Sequence, residues 1–456
     1  MNPRRSVLFA LLLLLPALAE SQLLADPPPV VSPLERELAA VDSVEKLERR
    51  LAATRGADQG RERIAILKRL VELQPHVGRR RYELAAQYAA LGDKRSAYDA
   101  LIRLSAQGYA FELEKDPRFE PVHGTQVWDY LVGHFQANRK PFGVGTVAFR
   151  IPDEGHLYEA IAWDPSRKRM LLAGLRKADI AFLSEQGRLE PFIDGRSAGL
   201  WSVSALAVDA AHGKLWVAST ALPVFADLKP EQAGISGVFR FDLGSGKFEH
   251  RYLLPPQARA AITALAVGKR GEVYAADGLN GTVYLIDGGG MRPYLGGAGL
   301  RDLRALAISA DGRRLYVADY DAGVLVVDLL NAAAQPLAVP SQLSLDGIES
   351  MQLWNGHLIL VQSGTAPALR VMRAKLDSSG LRVEQIQPLE ASRPEFEHLG
   401  ASAVADDLLY VVANSRRSLA GEREPAIPSA ESRVIFRSDL TGKDLVPIPP
   451  MPLKAR

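Results

Sequence analysis

The sequence contains no cysteine. Disulfides are therefore excluded whatever the compartment, and stability must come from burial, which a chain of 456 residues can supply. An excess of charge of either sign is missing too. Lys and Arg number 55 against 53 Asp and Glu, a net of +2, and nothing here provides the basic surplus that nucleic acid or an anionic membrane surface would demand. Beyond Ala19 no apolar run approaches the roughly 20 residues that span a bilayer. The short motifs of hydrolytic and nucleotide chemistry are absent as well: there is no Gly-x-Ser-x-Gly elbow, no P-loop, no His-Glu-x-x-His and no Rossmann glycine pattern after a strand. The glycines at 278–281 and 288–290 read as turns rather than phosphate cradles.

What is present begins with a leader. Arg4 and Arg5 precede an apolar stretch from Val7 to Leu15, and Ala17, Leu18 and Ala19 supply a cleavage site, so residues 1–19 read as a signal peptide. The expectation is an exported protein, periplasmic or secreted, with no membrane insertion once the leader is gone. Loss of Arg4 and Arg5 makes the acidic and basic counts equal. Residues 20–32, with Asp26 followed by Pro27, Pro28 and Pro29, read as an extended linker.

From Pro33 to Asn138 the apolar residues recur at helical steps: Leu34, Leu38, Val41, Val44, Leu47 and Leu51, then Ile64, Leu67, Leu70 and Val71. Arg79, Arg80 and Arg81 read as a solvated helix face. Leu84, Ala85, Tyr88, Gly92 and Ala97 fall at offsets that resemble one tetratricopeptide repeat, followed by an end-cap with Phe119, Trp128 and Phe135. A single repeat makes no peptide groove, so docking on the rest of the chain is the expected role of this region, with a protein partner as the other possibility.

After Pro141 the period switches from helix to strand. The stretch ALAISADGRRLYVAD (305–319) has two alternating apolar runs about an Asp-Gly turn, the signature of a β-hairpin. The same pattern returns at 205–219 and 264–277, and more loosely at 160–174, 351–361 and 403–413. Third and fourth strands follow most copies, as in GVLVVD (323–328). Six copies at roughly 40 to 60 residues predict a six-bladed β-propeller over 143–456. The fold class expected is mainly β, with a smaller all-α domain ahead of the propeller. The strand at 144–151 lies outside the first hairpin, whereas the region 433–439 with 446–448 lacks an outer strand, so pairing of the two ends should close the ring. Inserts at 220–237 and 416–432 are long enough to overhang its mouth.

The hairpins carrying Tyr158 to Asp164, Ala305 to Asp319 and Leu345 to Ile348 resemble the senescence-marker-protein and gluconolactonase family, over about two thirds of the chain. That resemblance implies a divalent metal on the propeller axis, hydrolysis of small lactones or esters, and three ligands: a glutamate from blade one, an asparagine opening blade four and an aspartate opening blade five. Glu159 matches the first, and Asp346 the third, which would make Asp346 both a metal ligand and the catalytic carboxylate. Oxygen donors of this kind suit calcium, magnesium or manganese, with zinc a further possibility. At the asparagine position stands Arg304, a cation that would repel a metal. Two readings follow. One is a metal-dependent hydrolase of the lactonase type. The other is a non-catalytic propeller binding a small molecule or a protein, in which Arg304 neutralises Glu159 and Asp346 and plugs the axis. His156 and His398 precede inner strands and are candidate channel-lining residues.

Overall fold

The computed structural model describes residues 32–443, apart from 55, 57–58, 298, 365–368, 424 and 426–431. The expected leader, nearly all of the linker and the 446–448 segment lie outside the described residues.

Six α-helices come first: α1 (Pro33–Ala39), α2 (Val44–Ala53), α3 (Gly60–Leu73), α4 (Gly78–Ala90), α5 (Lys94–Ala106) and α6 (Gln126–Asn138). Ser32 opens α1 with a capping box. Its hydroxyl accepts from the Glu35 amide while the Glu35 carboxylate accepts from the Ser32 amide. Gly92, at φ +74°, turns α4 into α5, and Asp93 caps α5 by accepting from the Ser96 amide. Ala85, Ala86, Ala89 and Ala97 are fully buried in the joint. Small residues there let the two helices close up, which is the physical content of the repeat-like spacing.

The remaining chain forms six four-stranded antiparallel sheets. Blades one to five are each built from four consecutive strands, at 158–193, 202–253, 262–295, 303–336 and 348–391. The sixth takes three strands from Ser402–Ala405, Leu408–Val412 and Ser432–Asp439 and its outermost from Thr146–Pro152, far upstream. Thr146 pairs with Arg437, and Pro152 with Ser432. The ends of the ring are thus tied by a ladder of backbone hydrogen bonds.

Six apolar clusters fill the six seams between neighbouring blades. Alternation explains this directly. In the second strand of blade four, Tyr316 and Ala318 face blade five, while Leu315 and Val317 face blade three. Both faces of every blade are therefore buried, and each sequestered Leu, Val or Phe contributes about 1.5–3 kcal/mol. Aspartates end two of these second strands. Asp319 accepts from the amides of Arg301, Asp302, Asp321 and Ala322, and Asp277 from those of Ala261, Leu279 and Asn280. Each pins the turn after its own strand and the approach to the inner strand at once.

The helices rest on blades four and five through polar contacts. The Gly78 amide donates to Asp346 Oδ2 at 3.1 Å, and the Tyr109 hydroxyl lies 2.9 Å from the same oxygen and 2.8 Å from Ser344 Oγ. Gln107 donates to the Ser341 carbonyl, and its own carbonyl accepts from the buried Arg370. Arg301 pairs with Glu45 of α2. The expected docking of helices on propeller is what the chain does.

Candidate functional site

The inner strands of blades one to five start with the same irregularity. The pairing register slips between Tyr158 and Ala160, Val203 and Ala205, Ile262 and Ala264, Leu303 and Ala305, and Ile348 and Ser350. A bulge leaves one residue unpaired and re-aims its side chain. The five residues so placed are Glu159, Ser204, Thr263, Arg304 and Glu349, and Ala401 stands at the corresponding point of blade six. Ser204, Thr263, Arg304, Glu349 and Ala401 line the top of an axial tunnel of about 70 Å³, whose walls mix small apolar residues such as Ala160, Ala205, Ala264 and Ala305 with the polar Ser350, Gln352 and Ser402. Glu159, the sixth of this ring, holds the equivalent bulge of blade one behind that lining. That volume is room for about two waters.

The ring carries charge of both signs. Arg304 holds Asp302 bidentately, Nε to Oδ1 at 2.6 Å and Nη2 to Oδ2 at 2.8 Å, and reaches Glu349 Oε2 at 3.3 Å. It also lies over the Tyr320 ring. Burial opposes its charge, but the Asp302 bonds and the Glu349 carboxylate outweigh burial and hold its pKa above the ordinary arginine value. His398 Nε2 lies 3.6 Å from Glu349 Oε1. Burial alone would raise the Glu349 pKa; His398, Arg304 and Arg417 reverse that and leave it lowered. Across the ring, Glu159 accepts from Ser415 Oγ at 2.6 Å and from the Arg416 amide at 2.5 Å. The fully buried Arg433 sits 3.8 Å from Glu159 and 3.4 Å from Asp153. Burial pushes the Glu159 pKa up against those contacts.

The structure therefore separates the residues picked from sequence. Arg304 lines the axial tunnel, His398 reaches it through Glu349, and Glu159 stands at the equivalent bulge of blade one without entering the lining. Asp346 does not line the tunnel. It lies three residues before the bulge of blade five, buried against Tyr109 and Gly78, and its carboxylate serves the docking of the helices. Glu349 holds the place expected for it. Arg304 neutralises Glu349 and Asp302 rather than Glu159 and Asp346. His156 is also elsewhere. Its ring stacks on Tyr158 at 4.9 Å, bonds the Asp153 carbonyl and lines a separate cleft at the edge of blade one.

Register was the missed signal. Ile348-Glu349-Ser350-Met351 aligns with Leu303-Arg304-Ala305-Leu306 once the bulge is recognised. Arg417 was missed with no signal to find it. It lies in the second insert, whose short turn Arg417–Gly421 brings the side chain over the tunnel. The two inserts do meet: the Val224 amide donates to the Ala420 carbonyl, and Leu222, Val224 and Leu419 pack with Leu157 and Leu175.

A divalent ion fits this ring poorly. Of its six residues two are carboxylates, both already engaged by arginines, and one is itself a guanidinium. Among the described residues no group of three or more His, Asp and Glu side chains is gathered for a metal.

No family model matches the chain, and no curated protein matches it either. Solved structures do. A luciferin-regenerating enzyme is 11% identical over 67% of this chain and 97% of its own, with a TM-score of 0.42. Virginiamycin B lyase from Staphylococcus aureus is 13% identical over 66% and 99%, at 0.43. A gluconolactonase from Xanthomonas campestris is 15% identical over 66% and 98%, also at 0.43. Likeness this distant carries no argument about activity. The fold rests on the sheets themselves. The chain is a six-bladed β-propeller with an N-terminal helical region.

Proposed function

We propose that this chain is a binding propeller whose axial mouth receives a small molecule, and that it does not act as a metal-dependent lactonase. One observation carries the reading: Arg304 stands in the ring and is held there by Asp302 and Glu349. A guanidinium so paired supplies the positive charge that the ring carboxylates need, and a metal ion would have to displace it. The tunnel below holds about 70 Å³, too little for a sugar lactone, so a ligand would sit at the mouth, between the inserts and the helices. Export to the periplasm or beyond is part of this proposal and rests on the leader alone.

The lactonase-type reading keeps one observation in its favour: Glu159 and Glu349 are two carboxylates at equivalent bulges of blades one and five. Calorimetric titration with calcium and manganese separates the two. The wild type should bind neither ion, and Arg304→Asn, which frees Glu349 and Asp302 and adds an amide oxygen, should gain binding. Tight metal binding by the wild type, unaltered in Arg304→Asn, would return the chain to the hydrolase class.

A further inference from the structure

Arg417 reaches across the axial mouth. Its backbone is fixed on the blade-one side, since the Arg417 amide donates to Ser415 Oγ, and Ser415 Oγ and the Arg416 amide both bind the Glu159 carboxylate. Its side chain extends to blade three, where Nη2 donates to the Thr263 carbonyl at 3.5 Å. A guanidinium has five N–H donors, and among the described residues this long bond is the one hydrogen bond its guanidinium makes. No carboxylate oxygen among the described residues forms an ion pair with it.

The acids around it are engaged elsewhere. Glu159 is taken by Ser415, the Arg416 amide and Arg433, Glu349 by Arg304 and His398, and Asp302 by Arg304. Burial and the neighbouring Arg304 weigh against the Arg417 charge and lower its pKa, although Glu349, Glu159 and Asp302 pull the other way. An anion seated against Arg417, with Arg304 beside it, would offset the cost of the buried charge and screen the two guanidiniums from each other.

We propose that the axial mouth binds a small organic monocarboxylate through the Arg417 guanidinium, which rests on the binding-propeller reading above. Planar carboxylate matches the guanidinium fork with two parallel hydrogen bonds. Three features choose this class over phosphate or a dicarboxylate. Glu159, Glu349 and Asp302 would repel a second negative charge. The tunnel beneath is small. Its walls, alanines together with Ser350, Gln352 and Ser402, leave room for a short tail and no second charged group. In this arrangement Glu159 is a positioning residue, because it holds the segment that carries Arg417.

The test is calorimetric titration of the full chain at neutral pH and low salt, with EDTA present, using propionate and inorganic phosphate as probes. Propionate should bind, phosphate should bind at least about tenfold more weakly, and Arg417→Gln should weaken propionate by about tenfold or more, the size of a lost charged hydrogen-bond pair. Arg417→Lys, which keeps the charge but loses the fork, should fall between them, and it serves alone if Arg417→Gln does not fold. No propionate binding to the wild type up to about 50 mM, set by the weak-affinity scale, overturns the site. So does unchanged binding in the variants, or stronger binding of phosphate. Because EDTA removes free metal, carboxylate binding that survives it and depends on Arg417 would stand even if the metal titration above overturned the plugged ring.

Discussion

At the scale of single residues the ring turns on Glu349, where burial is opposed by the His398 contact and the charges of Arg304 and Arg417. A carboxyl whose folded pKa is lowered stabilises the fold fully above its unfolded pKa of about 4.3, and that contribution is lost as pH falls through the lower folded value. Glu349→Gln should therefore destabilise the protein by about 2 kcal/mol at pH 7, because Arg304 loses a buried partner. The gap to wild type should narrow below about pH 4.3, as the wild-type carboxylate protonates. Thermal denaturation of both proteins between pH 3 and 7 checks this. A constant gap across that range would show that the charge of Glu349 contributes nothing to the ring.

At the scale of elements, the recurring hairpin depends on one buried carboxylate as much as on its apolar alternation. Asp319 is 2% exposed and accepts from four backbone amides. Removing the acceptor leaves buried N–H groups unpaired, at about 1–3 kcal/mol where no water replaces it. We expect Asp319→Ala to lower stability by about 3 kcal/mol and Asp319→Asn by less, since the amide oxygen still accepts. Urea denaturation measures both. The effect matters to the site because two of those amides belong to Arg301 and Asp302, directly before Arg304. Equal stability of Asp319→Ala and wild type would mean that the strand ladder alone holds this turn.

At the scale of the molecule, two devices make one body: the strand Thr146–Pro152 that completes blade six and the polar seat of the helices on blades four and five. The seat concentrates on Asp346, which is 3% exposed and reached by the Gly78 amide and the Tyr109 hydroxyl. Tyr109→Phe removes the hydroxyl from Asp346 and Ser344 together, at about 1–3 kcal/mol. The helices and the blades should each stay folded, and limited proteolysis should speed up between Arg139 and Gly145, where the chain passes from one to the other. An unchanged cleavage rate there would show that the seat does not depend on this contact.

Read alone, the sequence determined the number of blades, the switch from helix to strand after Pro141 and the closing of the ring by its two ends. All three follow from local chemistry: apolar period, turn residues, and a strand without a partner at either end. It also marked Glu159, Arg304 and His398, which precede or open inner strands. Only the tertiary structure decided which fifth-blade carboxylate reaches the axis. A bulge leaves Glu349 unpaired and aims it at the tunnel, whereas Asp346 lies ahead of the strand and turns to the helices, where Gly78 and Tyr109 meet it. Arg417 was legible nowhere in the sequence. It is one arginine in an irregular insert, and its position over the ring comes from the distant contacts that fold this segment back, Ser415 and the Arg416 amide on Glu159 and Ala420 on Val224.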